Sequence, residues 1–275
     1  EMARKFGITT PIPPYPSIHI GSADVYPIEM VAAYSAFATL GVRATPNAVL
    51  KVEDAKGQTL WESNPARFET LTREEAWLMV DMMKDVVRRG SAASVWASGF
   101  HIPAAGKTGT TNDGTDVWFI GYTPDLVTGI WMGFDRPQKI QSNAQGGRLV
   151  APAWTSYMSE IYQRRPAPPD WPRPDGLVMR EIDKYSGLLR SPFCPDSQVV
   201  NEYYIEGTEP VQQCSGEFGA AADSTHPAPP PAPFGQPPAY DPNTVRPRAA
   251  PIPAPSSPPR DTVRGPIDPF HPAKP

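Results

Sequence analysis

The sequence predicts an α+β fold, an antiparallel sheet flanked by helices, followed by a small β-rich appendage and a proline-rich tail. Three observations carry this. Residues 103–135 hold three short β-rich runs separated by tight turns. Two other segments, after Thr72 and over 151–162, place apolar residues three to four apart, which is the helical period. About half of the 37 prolines fall after Gly219, so regular elements are confined to the part before it.

Taken in order, residues 1–8 read as the end of a helix stopped by Gly7. Residues 9–26 read as a loop set by Pro11, Pro13, Pro14 and Pro16. Pro27 suits a first helical turn, and Ile28, Val31, Ala32, Ser35 and Phe37 to Leu40 continue at helical spacing to Gly41. Ala48–Val52 and Thr59–Glu62 flank Asp54-Ala55-Lys56-Gly57, a hairpin signal. Thr72-Arg73-Glu74-Glu75 is a capping box that starts a helix carrying Trp77, Val80, Met83, Val86 and Val87, ended by Gly90. Met82 and Met83 read as core fillers. Ala104–Thr111, Val117–Tyr122 and Leu126–Phe134, joined by Asn112-Asp113-Gly114 and Thr123-Pro124-Asp125, make an antiparallel meander. Ala151 to Tyr162 is a helix with Trp154, Tyr157, Met158 and Ile161 on one stripe, able to cover that meander. The expected division is therefore a body over 1–164, a linker and β-rich appendage over 165–218, and a tail over 219–275.

The tail carries Ala, Pro, Ser and Arg with almost no aliphatic residues, and cannot offset its chain entropy by burial. It is expected to be disordered and partly polyproline II, a spacer or a ligand for a proline-binding partner. A net charge of −4 argues against a nucleic-acid partner. No apolar run approaches the roughly 18–20 residues of a membrane span. Glu1-Met2-Ala3-Arg4-Lys5 carries neither a start methionine nor a signal-peptide pattern, and reads as a cut inside a longer protein.

Several chemistries lack their motifs. There is no Gly-x-Ser-x-Gly, no Cys-x-x-Cys and no Gly-x-Gly-x-x-Gly, and the four histidines have no evident triad partners. No metal or organic cofactor is expected. The informative segment is Ala105-Gly106-Lys107-Thr108-Gly109-Thr110-Thr111. A phosphate loop would need glycine where His101 stands, and a helix where Asn112-Asp113-Gly114 follows. A lysine-threonine-glycine strand of penicillin-interacting serine enzymes meets no such conflict. Residues two apart share a strand face, so Thr108 and Thr110 can hydrogen-bond one carboxylate, with Lys107 adding positive field. Gly109 admits a close substrate backbone. A Thr-rich edge strand with a solvated lysine is the competing structural reading.

The wider context resembles the transpeptidase domain of class A penicillin-binding proteins. The resemblance rests on Gly106 through Asp113, on Asp116, Trp118-Phe119 and Gly121 to Pro124, and on Trp131, Gly133 and Asp135. Gly21-Ser22, Pro27 to Phe37, Arg89 to Ala93, Gly187 to Pro195 and Gly207 to Cys214 extend it over roughly residues 1–218. It implies a five-stranded antiparallel sheet, of which three strands are found here, leaving a sheet edge unpaired. It implies that Thr108 and Thr110 bind the D-alanine carboxylate of a peptidoglycan stem peptide, or that of a β-lactam. It also makes Lys107 and Thr110 catalytic, Thr110 through an oxyanion-binding N–H, with Thr111 in support. Asp116, Trp118 and Trp131 are expected to be structural, a turn carboxylate and core aromatics. Cys194 and Cys214 are expected to form a disulfide in an oxidising, extracytoplasmic compartment.

The family's Ser-x-x-K and Ser-x-Asn motifs do not occur in these 275 residues. The resemblance places both upstream of Glu1, together with a glycosyltransferase region and a membrane anchor. The expectation is a D,D-transpeptidase segment that is inactive by itself, partnered by the upstream part of its own polypeptide. The alternative is a non-catalytic cell-wall or protein-interaction module.

Overall fold

The computed structural model describes residues 1–215, so the reading of 219–275 lies outside the described residues. A one-turn helix, α1 (Met2–Lys5), ends at Gly7 with φ of 88°. The proline-set loop after it contains a 3-10 turn over Pro16–Ile20. Helix α2 (Pro27–Ala38) has Pro27 in its first turn, as expected. Glu29, also in that turn, reaches back to the loop. One carboxylate oxygen accepts Thr9 N–H at 3.1 Å, and the other accepts Thr10 O–H at 2.6 Å.

Two small antiparallel pairs lead to the next helix. β1 (Val42–Ala44) pairs with β4 (Arg67–Glu69), and between them β2 (Lys51–Glu53) pairs with β3 (Thr59–Glu62). The inner turn is held by Asp54, whose Oδ1 accepts the N–H groups of Lys56 and Gln58, both at 2.8 Å. The outer pair was not legible in the sequence, because three residues are too few to show alternation. Helix α3 (Arg73–Arg88) opens on the predicted capping box. Thr72 Oγ1 accepts Glu75 N–H at 3.2 Å and Glu75 Oε2 accepts Thr72 N–H at 2.9 Å. Trp77, Val80, Met83 and Val87 are buried on one stripe. Met82 corrects the expectation: it is 55% exposed, about 100° around the helix from Met83. A single further turn, α4 (Ser94–Ala97), follows.

The predicted meander is present. β5 (Ala105–Thr110), β6 (Asp116–Tyr122) and β7 (Val127–Gly133) form an antiparallel sheet in that order, with Thr108 opposite Phe119 and Phe119 opposite Ile130. Alternation divides their side chains between two helical layers. Val117, Phe119 and Ile130 pack with α5 (Gly146–Tyr162) through Val150, Trp154 and Met158. Ala105, Tyr122 and Val127 pack with α2 and α3 through Phe37, Trp77 and Val80. The sheet is thus sandwiched, and among the described residues β5 and β7 each keep one unpaired edge. Tyr157, expected on the inner stripe of α5, is 54% exposed. Trp131 is 42% exposed and so is not a core aromatic: it lies two residues past Gly129, where Val31 of α2 makes its contact. Its Nε1–H donates to Asp116 Oδ1 at 3.1 Å.

β8 (Leu177–Asp183) and β9 (Val199–Ile205) pair antiparallel to form the appendage. The Cys194 and Cys214 sulfurs are joined, with Cα atoms 6.1 Å apart. The proline-rich stretch before β8 is anchored rather than free. Trp171 is buried, donates Nε1–H to the Ala38 carbonyl at 2.8 Å, and sets its ring against Tyr122. Lys84 of α3, nearly buried, bridges to Asp170 at 2.6 Å, and Trp77 meets Tyr203 edge-on at 5.0 Å.

Candidate functional site

Strand β5 runs from a buried start at Ala105 to an exposed end at Thr110. Its outer end forms one wall of a polar cleft of about 680 Å³. Thr108, Thr110 and Thr111 line that wall. Ser91 and the first turn of α5, Gly146 and Gly147, face them. Asn112 and Asp113 of the β5–β6 turn, with Lys139, Gln141 and Asn143, extend the cleft outward.

Each strand hydroxyl has a fixed neighbour. Thr108 Oγ1 lies 2.7 Å from Ser91 Oγ. Thr110 Oγ1 accepts the Gly146 N–H at 3.1 Å. Thr111 Oγ1 accepts the N–H groups of Thr115 and Asp116, both at 3.0 Å, and so closes the β5–β6 turn.

The predicted threonines come together, whereas Lys107 stands apart from them. It does not line this cleft. Strand alternation sends its side chain to the face opposite Thr108 and Thr110, where Nζ donates to the Thr108 carbonyl at 2.9 Å. Gly109 lies under Trp118, whose Cβ would be 3.2 Å from an added Cβ.

Helix α5 starts five residues before the predicted Ala151, and Pro152 lies inside it. Its cap is tertiary: Gln145 offers no side-chain bond, and Thr110 of β5 accepts the first N–H instead. This close seating requires glycine. A Cβ on Gly146 would stand 2.9 Å from the Gly109 carbonyl oxygen, and one on Gly147 2.9 Å from the Ser91 carbonyl carbon, overlapping its oxygen. Sequence reasoning missed Ser91, Gly146 and Gly147 as site residues. The Arg89-Gly90-Ser91 segment stood out only as part of the resemblance.

Chemically, the cleft presents hydroxyl donors and backbone N–H groups beside an open strand edge, an arrangement suited to a peptide carboxylate. Among the described residues there is no helix long and apolar enough to cross a membrane, and no cluster of three or more His, Cys, Asp or Glu able to hold a metal.

Comparison with known proteins places the fold. Residues 173–216 match the penicillin-binding protein 1A C-terminal domain model. Penicillin-binding protein 1A of Aquifex aeolicus is 34% identical over 215 residues, which is 78% of this chain and 29% of that protein. The protein of that name from Neisseria lactamica is 34% identical over 67% of this chain and 24% of its own length. The chain thus spans less than a third of either relative. Penicillin-binding protein 1A from Haemophilus influenzae shares the fold, with a TM-score of 0.70 over 77% of this chain and 37% of that one, at 24% identity. The Mycobacterium tuberculosis PonA1 protein in complex with penicillin V aligns at TM-score 0.50 and 27% identity, over 62% of this chain and 50% of that one. The penicillin binding protein transpeptidase domain model matches residues 16–158, more than half of the chain and all of the sheet that carries the cleft; the chain belongs to that family.

Proposed function

We propose that this chain forms the acyl-donor wall of a D,D-transpeptidase within a peptidoglycan synthase. The observation that carries the reading is the pairing of Thr108 and Thr110 on one wall of a polar cleft beside an unpaired strand edge. Their hydroxyls bind the terminal carboxylate of a D-alanyl-D-alanine stem peptide, or of a β-lactam in its place. The complex of a related protein with penicillin V supports the second ligand. Lys107, on the other strand face, adds positive potential at the edge, and Thr110 N–H is one oxyanion donor.

In the reaction, a serine hydroxyl attacks the D-Ala–D-Ala carbonyl and D-alanine leaves as an amine. The acyl group then passes to an amine of a neighbouring stem peptide. The 275 residues contain no Ser-x-x-K, so the nucleophile belongs to a longer polypeptide in which this chain is one segment. That polypeptide works on the outer side of the cytoplasmic membrane, where Cys194 and Cys214 stay oxidised. Residues 1–164 are its transpeptidase part and 165–218 an appendage, with Asp170 and Tyr203 meeting Lys84 and Trp77 of α3.

Labelling with a fluorescent penicillin tests this reading. The chain alone should form no covalent adduct, and the polypeptide including its Ser-x-x-K segment should be labelled and competed by excess unlabelled penicillin. Labelling of the chain alone, or none of the longer polypeptide, would overturn it.

A further inference from the structure

The hydroxyls of Thr108 and Thr110 differ from free surface threonines in one respect, their polarity. A hydroxyl has one proton to give and two lone pairs to receive with. A backbone N–H can only donate, so the 3.1 Å bond from Gly146 N–H to Thr110 Oγ1 occupies a lone pair and leaves the Thr110 proton free for the cleft. Thr108 has no such N–H. Its partner is Ser91 Oγ at 2.7 Å, and the direction of that bond depends on where the two protons point. When Ser91 donates, Thr108 keeps its proton for a ligand. When Ser91 accepts, the Thr108 proton is spent inside the protein.

An anion in the cleft selects between these two states. A carboxylate can only accept, so it draws the Thr108 proton toward itself, and Ser91 then donates into the vacated lone pair. Each bond in such a chain polarises the next, which strengthens the bond to the anion. Ser91 is held for this role by its backbone. Its carbonyl abuts Gly147 so closely that no Cβ fits there, and the next residue, Ala92, is wholly buried. Two independent elements thus back the two threonine hydroxyls: the first turn of α5 leaves the Thr110 proton free, and the segment before α4 supplies a hydroxyl that can do the same for Thr108.

We propose that Ser91 is a positioning residue for the acyl donor: its hydroxyl orients Thr108 as a hydrogen-bond donor to the ligand's carboxylate. The proposal rests on the transpeptidase reading above and adds a residue outside the lysine-threonine-glycine strand. Ser91 touches no reacting atom. Its effect is largest for ligands that carry the anion, because a hydrogen bond to a charged acceptor is about twice as strong as one to a neutral acceptor.

That difference supplies the test. In the polypeptide that includes the nucleophile, acylation rate constants are measured for benzylpenicillin and for its methyl ester. Thermal midpoints are recorded for every variant. The wild type should react faster with the acid than with the ester. Ser91→Ala should lower the acid rate about tenfold, the loss of one oriented hydrogen bond, and leave the ester rate within twofold. Ser91→Thr should restore the acid rate. Ser91→Cys keeps the shape with a weaker donor and should fall between, so a poorly folded alanine variant does not end the experiment.

An unchanged acid rate in Ser91→Ala, or equal falls for acid and ester in both Ser91→Ala and Ser91→Cys, would overturn the proposal and make Ser91 merely structural. A wild type that does not distinguish acid from ester would refute the carboxylate reading of Thr108 and Thr110 itself, and this inference with it.

Discussion

Replacing Thr110 by valine keeps the size of the side chain and removes its oxygen, which in this fold faces two ways. Toward the cleft, the hydroxyl is free to donate to a carboxylate, and a hydrogen bond to a charged group contributes about 1.5–3 kcal/mol. At about 1.4 kcal/mol per factor of ten, its loss should slow acylation by roughly 10- to 150-fold. Toward the protein, Oγ1 accepts the first N–H of α5 at 3.1 Å. Valine leaves that group without its acceptor, at a further cost to stability of about 1–2 kcal/mol, the value of a lost helix cap. Thr110→Ser retains the oxygen and should preserve both properties. The assay is the rate constant for acylation by benzylpenicillin in the polypeptide that includes the nucleophile, beside thermal midpoints of all three proteins. Valine that acylates within twofold of wild type, with a lowered midpoint, would show that Thr110 only caps α5, and would refute its assignment to the ligand.

Trp171 tests whether the segment before β8 is part of the core. Its ring is buried and its Nε1–H bonds to Ala38 O, so Trp171→Ala should cost about 3–5 kcal/mol, and Trp171→Phe, which keeps an aromatic ring, about 1–2, in urea unfolding. Less than 1 kcal/mol for alanine would mean that the segment is a free tether. Reducing the Cys194–Cys214 bridge, which closes a loop with a sequence separation of 20, should cost the appendage about 3 kcal/mol; mass after alkylation of the unreduced protein should show no free thiol. Glu29 should titrate near 2, because the hydroxyl and N–H donors of Thr10 and Thr9 hold its carboxyl below the ordinary value. A depressed carboxyl pKa stabilises above the unfolded value, so the clasp on Thr9 and Thr10 should be intact above about pH 4.5 and lost as pH falls toward 2. A Glu29 carboxyl signal that titrates at an ordinary value near 4.5 would contradict the clasp.

Local rules carried much of this protein into view. The capping box at Thr72, the period of α3 and the tight turns of the meander are short-range signals, and each appears where it was read. The threonines of β5 were legible as a pair for the same reason, since alternation along a strand is a local property. What depended on contacts between distant segments was not legible. Lys107 was grouped with its neighbours by motif, yet alternation turns its stem to the face opposite Thr108 and Thr110, and Nζ settles on the Thr108 carbonyl. The stripe of Trp154, Tyr157, Met158 and Ile161 reads as a helix from Ala151. The true start is Gly146, because the acceptor that caps α5 lies 36 residues back on β5, and no local pattern records it. Trp171 sat in a stretch that composition marks as a linker, and only the groove between α2 and α3 makes it a core residue. Ser91 carries no signal of its own in the chain. Its place beside Thr108 comes from the closeness of two backbones at Gly147, which tertiary packing alone decides.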